Sequence, residues 1–257
     1  MTETAPTGPR PVAIVTGASS GIGRATALRL ARRRYTVVLV ARRPRELAAV
    51  MEEIKAAGGS ARAIRADLTR LRDVVNVVDE ARVLSGRIDV LVNAAGIGKM
   101  HSILTDDADL ERIVETNLLA PIRLMRMVVP FMRAQRSGAI INIGSVAGEI
   151  GVNGLYSATK FGLRGITDSV RREVSGTGIH VSLVEPGYID TPLMAHSDRR
   201  MPGPEIVVDA IESCITRTRR RVILPFRYRF AVLASAWFPW LVDRVYAGRA
   251  AGQTALR

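Results

Sequence analysis

The sequence predicts an α/β domain built on a doubly wound parallel sheet of about seven strands, with helices on both faces. Short β-branched apolar runs alternate with longer segments of helical period from residue 11 onward. A glycine-rich turn joins the first strand-like run to the first helical one. The 257 residues are 47% hydrophobic with mean hydropathy +0.14, enough apolar side chain to close a core on both sides of a sheet.

The first strand is "PVAIVTG" (11–17), followed by a helix in "GIGRATALRLARRR". "TVVLVA" (36–41) is the second strand, and "RELAAVMEEIKAAG" a helix that its final glycine stops. "ARAIRADL" (61–68), "IDVLVNAAG" (88–96), "GAIINIGS" (138–145) and "GIHVSLVEPG" (178–187) supply four more strands, and "RVILP" (221–225) closes an edge. Helical patterns run over 117–136, from Gly154 onward, and from about 205 to 218. No spacing suggests a repeat or linker, so residues 11–257 read as one domain. The polar, proline-containing stretch 1–10 reads as a loose tail and not a secretory signal.

Composition narrows the function classes. The single cysteine, Cys214, excludes an internal disulfide and fits a reducing compartment, hence a cytoplasmic protein. His101, His180 and His196 are scattered without metal-ligand spacing, so no metal site is expected. A formal charge of +13 can draw a protein to nucleic acid, anionic membrane or anionic substrates. Here the arginines spread along the whole chain, and no nucleic-acid-binding motif accompanies them.

The turn "TGASSGIG" places Gly17, Ser19, Ser20, Gly21, Ile22 and Gly23 between a strand and a helix N-terminus. Glycines there let backbone N–H groups approach a phosphate closely. The spacing G-x-x-x-G-x-G differs from the usual dinucleotide fingerprint G-x-G-x-x-G. After the second strand, where a site for NAD(H) places an acid on the ribose, the chain has Arg42 and Arg43. Guanidinium groups bind a ribose 2′-phosphate, so NADP(H) is expected over NAD(H). Further on, Tyr156 and Lys160 lie one helical turn apart, and Lys160 is one of only three lysines among 37 basic residues.

These motifs together resemble the short-chain dehydrogenase/reductase family, from about residue 11 to 192. "NAAG", with Asn93, Ala94 and Gly96, is similar to the family's N-N-A-G, alanine replacing its second asparagine. Asn117, Ser145, Tyr156 and Lys160 match its catalytic tetrad. Asp67 and Leu68 match its adenine contact, and "PGYIDTP", with Pro186, Gly187, Ile189 and Thr191, its nicotinamide-contacting turn. The resemblance implies a Rossmann-like fold, hydride transfer between NADP(H) and a carbonyl or alcohol, and a homodimer or homotetramer. It implies Tyr156 as general acid, its pKa brought down by Lys160 and the nicotinamide, which Lys160 and Tyr156 also contact. It further implies Ser145 as donor to the substrate oxygen and Asn117 as the link from Lys160 to solvent.

Beyond residue 192 the resemblance gives little. Residues 193–218 read as a substrate lid and 219–257 as an aromatic and basic extension. Both tryptophans and three phenylalanines lie there among arginines. The extension can line a pocket, rest on a membrane or form a subunit interface; pocket lining combined with peripheral membrane contact suits a hydrophobic or lipid-like substrate. Within the oxidoreductase class, a 3-oxoacyl reductase and a steroid- or sugar-type dehydrogenase are the alternatives. Outside it stands an NADP(H)-binding sensor or scaffold.

Overall fold

A computed structural model describes residues 10–98, 102–194 and 200–246. Val12–Thr16 (β1) is buried at every position, as a β-branched strand between two parallel neighbours must be. The crossovers that parallel pairing needs follow in order: α1 (Gly21–Arg32), β2 (Thr36–Ala41), α2 (Pro44–Ala56), β3 (Ser60–Arg65), α3 (Leu71–Ser85) and β4 (Val90–Asn93). The second half has α4 (Asp107–Val114), α5 (Ala120–Gln135), β5 (Gly138–Ile143), α6 (Ala147–Ile150), α7 (Gly154–Glu173) and β6 (Ile179–Pro186). Then come α8 (Glu205–Thr216), β7 (Arg221–Leu224), α9 (Tyr228–Trp237) and α10 (Pro239–Tyr246).

The strands form one seven-stranded parallel sheet in the order β3-β2-β1-β4-β5-β6-β7. In register, Ile14 lies between Val38 and Leu91. Alternation along β1 separates two cores. Val12 and Ile14 pack with side chains of α3 and α5, while Ala13 and Val15 pack with those of α1, α2 and α8. The sheet is therefore wound on both faces.

Several predicted boundaries move. The stretches 61–68 and 88–96 leave the sheet at Arg65 and Asn93, and their remaining residues become loops. The helix predicted over 117–136 begins in a π-helical turn, Glu115–Leu119, where the Ala120 N–H reaches the Glu115 carbonyl. Helices α3 and α4 were not assigned from the sequence. In the extension, Pro239 ends one helix and opens another, since it has no N–H to donate. Most of the predicted tail (1–9), His101, His196, part of the lid (195–199) and the end of the extension (247–257) lie outside the described residues.

Candidate active-site cleft

From β1 the chain winds outward through β2 and β3, and from β4 it winds the other way. Loops leaving the carboxyl ends of β1 and β4 therefore diverge and open a crevice. A cleft of about 940 Å³ occupies this position. Gly17, Ser19, Ser20, Gly21, Ile22 and Gly23 line it after β1, Arg42 and Arg43 after β2, and Asp67 and Leu68 after β3. Ala94 and Gly96 line it after β4, Ser145 after β5, and Pro186, Gly187, Ile189 and Thr191 around the end of β6.

The glycine turn is held too tightly for side chains. Gly17 has φ +67°, and a Cβ on it would lie 2.9 Å from the Ala94 carbonyl; one on Gly23 would lie 2.4 Å from the Gly17 carbonyl. The N-terminus of α1 has neither a capping side chain nor an acid in its first turn, so its positive end faces the cleft uncompensated. Arg43 reaches across, donating from Nη2 to Ser19 Oγ (2.9 Å) and Ser20 Oγ (2.7 Å). Thr16, which sequence reasoning passed over, pins the opposite wall: its Oγ1 accepts from the N–H groups of Ala94 and Ala95 at 3.0 Å.

Ser145, Tyr156 and Lys160 meet on the far side of the cleft. Ser145 follows β5, its Oγ accepting from the Ala147 N–H at 3.1 Å. Tyr156 and Lys160 project from one face of α7, and Ser145 shares a hydrogen bond with the Tyr156 hydroxyl. Lys160 is buried; its Nζ donates to the Ile143 carbonyl at 2.9 Å and lies 5.7 Å from the Tyr156 ring centroid. The expected lowering of the tyrosine pKa is not produced by these groups. Burial raises it, opposed by the Ser145 hydrogen bond, and burial also pushes Lys160 down to about 8. Desolvation penalises the charged form of each, so a further positive charge is needed to favour tyrosinate.

Two predicted residues stand behind the cleft wall. Asn117 is fully buried; its amide clasps the backbone of Ile97, accepting its N–H and donating to its carbonyl, both at 2.9 Å. Gly96 adjoins both Asn117 Oδ1 and Lys160 Nζ. Asn93 faces away from the cleft and donates to Asn142 Oδ1 at 2.8 Å; Asn142 in turn donates to Thr167 on α7. This polar stitch through β4, β5 and α7 escaped the sequence reading, although an asparagine inside an apolar strand was its signal.

A buried ionic frame, also missed, braces the loops around the cleft. Glu149 of α6 accepts from Arg164 of α7 (2.7 Å) and pairs with Arg221 of β7 (2.8 Å). Arg221 Nε donates to Glu185, two residues before Gly187, at 2.7 Å. Burial, followed by the adjoining Glu149, drives the Glu185 carboxyl up to about 8.

The mouth of the cleft is apolar, with Ile150, Val152, Leu193 and Met194 joined by Tyr228, Ala231 and Tyr246 of the extension. The Tyr228 ring lies so close to Gly187 that a Cβ there would fall 2.3 Å from it. The extension thus contributes to the lining through Tyr228, Ala231 and Tyr246 and not through its phenylalanines or tryptophans. Phe226, Phe230, Phe238, Trp237 and Trp240 are exposed, while the half-buried Tyr228 and the partly exposed Tyr246 reach the cleft.

Comparison with known proteins agrees with this geometry. The chain is 37% identical over 249 residues to the ketoacyl reductase HetN of Nostoc sp., covering 91% of this chain and 87% of that protein. It is 41% identical over 181 residues to the 3-oxoacyl-[acyl-carrier-protein] reductase FabG of Staphylococcus epidermidis, covering 69% of this chain and 74% of the relative. A short-chain dehydrogenase from Sphingobium yanoikuyae, solved in complex with NADPH, superposes with TM-score 0.78 at 32% identity, covering 91% of this chain and 96% of that one. Residues 11–202 match the family described as short chain dehydrogenase, and the chain belongs to that family.

Proposed function

We propose that the protein is an NADP(H)-dependent oxidoreductase interconverting a ketone or aldehyde with its alcohol. The observation that carries this reading is continuity. One cleft runs from Arg43 and the positive end of α1, suited to phosphates, to Ser145 and Tyr156, suited to a carbonyl oxygen. NADPH bound there supplies the hydride. The turn Gly17–Gly23 fits its pyrophosphate, Arg42 and Arg43 its 2′-phosphate, and Asp67 and Leu68 its adenine, while the stretch from Pro186 to Thr191 faces the nicotinamide end. The NADPH complex of the Sphingobium relative supports the same choice.

At the reacting end, Ser145 donates to the carbonyl oxygen and Tyr156 delivers the proton as negative charge develops there. Lys160, behind Tyr156, stabilises the phenolate left by that transfer. Asn117 holds the loop at Ile97 that shapes this wall. The apolar mouth favours a hydrophobic substrate, and a 3-oxoacyl thioester is our first candidate, a choice supported by the names of the Nostoc and Staphylococcus relatives. A homodimer or homotetramer in the cytoplasm is the setting the family resemblance favours.

Tyr156→Phe tests the proposal. NADPH consumption with 3-oxoacyl thioesters and long-chain ketones should fall to background while NADPH binding stays intact. Near wild-type turnover would overturn the assignment of Tyr156. NADPH binding without turnover of any carbonyl by the unaltered protein would favour a sensor.

A further inference from the structure

Helices that cover a core normally turn their apolar stripe inward. The α9–α10 extension does the reverse. Phe226, Phe230, Leu233 and Trp237 recur at helical spacing on the outward face, with exposures of 61%, 63%, 57% and 77%. Trp240 and Val245 continue the exposed surface along α10. The inward positions hold the half-buried Tyr228, Val232 and Ser235.

The charge around this stripe has one sign. Residues 217–246 contain seven arginines and a single acid, Asp243. Arg220 and Arg221 are held by Asp168, Glu149 and Glu185. Arg227 and Arg229 flank the stripe, stacked on Tyr228 and Phe226 at 5.5 and 5.1 Å, and among the described residues no carboxylate pairs with them or with Arg244.

We infer that this face docks on an anionic phospholipid surface, with α9 and α10 lying flat and the aromatic stripe at headgroup depth. Aromatic side chains prefer that depth, and flanking arginines meet the lipid phosphates. Neither helix can span: each is short, Pro239 separates them, and among the described residues no helix is long and apolar enough to cross a membrane. A second copy is a poorer occupant, because two-fold pairing of this face would set like-charged arginines together with only Asp243 to offset them. The same helices line the cleft mouth from their inner side through Tyr228, Ala231 and Tyr246. Docking therefore brings the mouth to the bilayer, where a lipid-borne carbonyl can enter from apolar surroundings. That last step rests on the reductase reading; the docking does not.

The test mixes the full chain with vesicles of phosphatidylcholine alone and of phosphatidylcholine containing phosphatidylglycerol. Co-sedimentation with the anionic vesicles only, reversed by salt, is expected. Tryptophan emission should shift to the blue on binding, since the chain's two tryptophans both lie on this face. Arg227→Gln or Arg229→Gln should each weaken binding roughly fivefold, from about 1 kcal/mol per basic residue at an anionic surface. Phe230→Ser with Trp237→Ser should abolish it while leaving the thermal midpoint and the turnover of a small water-soluble ketone unchanged. Tyr156→Phe should dock normally, which separates failure of docking from failure of the reductase reading. No binding to either vesicle, or equal salt-insensitive binding to both, would overturn the inference. So would a concentration-dependent blue shift without vesicles accompanied by a larger assembly, which would mean that a second copy covers the face.

Discussion

Replacing Glu185 by glutamine should stabilise the protein, although it removes one partner of a buried arginine. Glu185 is 1% exposed, and its carboxyl shares a hydrogen bond with Glu149 while accepting one from Arg221 Nε. Burial is the largest influence and Glu149 the next; together they outweigh Arg221 and move the group from 4.5 up to about 8. The native state thus keeps a proton that the unfolded chain releases. The contribution of this group to stability is fully present below the unfolded value of 4.5 and is lost as pH rises to about 8. One proton of difference corresponds to about 1.4 kcal/mol per pH unit. Glutamine offers Glu149 an N–H and Arg221 a carbonyl but holds no titrating proton, so the variant lacks this slope. The two proteins should be equally stable near pH 5, and the variant about 3 kcal/mol ahead near pH 7. In a chain of this size that gap is a rise in Tm of roughly 6–12 °C. Urea denaturation at intervals from about pH 5 to 8 measures it, with m-values checked for constancy. A variant less stable by the same amount at every pH would show that Glu185 is an ionised partner of Arg221, and the shared-proton reasoning would fail.

Arg43→Ala removes a guanidinium from the proposed 2′-phosphate position, and a charge-assisted hydrogen bond contributes about 1.5–3 kcal/mol. NADPH affinity should fall roughly ten- to a hundredfold in a fluorescence titration, with NADH affinity nearly unchanged; parallel losses would refute the role. Asp168→Asn should cost about 1–2 kcal/mol at neutral pH, discounted because Arg220 is largely exposed. Burial opposes ionisation of Asp168, but hydrogen bonds from Arg220 and Arg171 hold it to about 2, so the cost should vanish as pH falls from 3.8 through about 2 in acid-unfolding curves. In the proposed mechanism Lys160, pushed by burial down to about 8, supports Tyr156 as an ammonium; kcat/KM for ketone reduction should decline as pH rises through that value, and a profile flat to pH 9 would count against it.

The winding of the sheet was legible because short apolar strand-like runs alternate with helical patterns, and β1, β2, β5 and β6 are each closed by a glycine or an arginine. Strand ends were less so. Arg65 and Asn93 leave the ladder while the apolar pattern continues through Ala66, Leu68, Ala94 and Ala95, so pattern alone overshoots into the loops. Hydropathy also could not orient α9. Its stripe has the correct period for packing, yet the smaller Tyr228 ring contact with Gly187 fixes the opposite face inward.

Residues that would touch a ligand were legible for a related reason: glycine or arginine on a loop, or a tyrosine–lysine pair at helical spacing on α7, announces a local constraint. The residues that hold those loops had no such mark, because their partners are remote in the chain. Asn93 and Asn142 are 49 positions apart, and Glu185 and Arg221 are 36. A sequence shows a glutamate at 185 but not whether it carries a charge. That is decided when β6 pairs with β7 and α6 closes over it, burying a second carboxyl and one shared arginine beside it. The same closure buries Lys160 against the Ile143 carbonyl and, at Gly148, brings α6 against the backbone of Lys160 with no space for a side chain. The frame and the catalytic pair are therefore mechanically continuous through α6. Glu149 itself lies on α6, between Ser145 and Tyr156 in the chain, so the frame packs beside that loop and not at a remote edge of the fold.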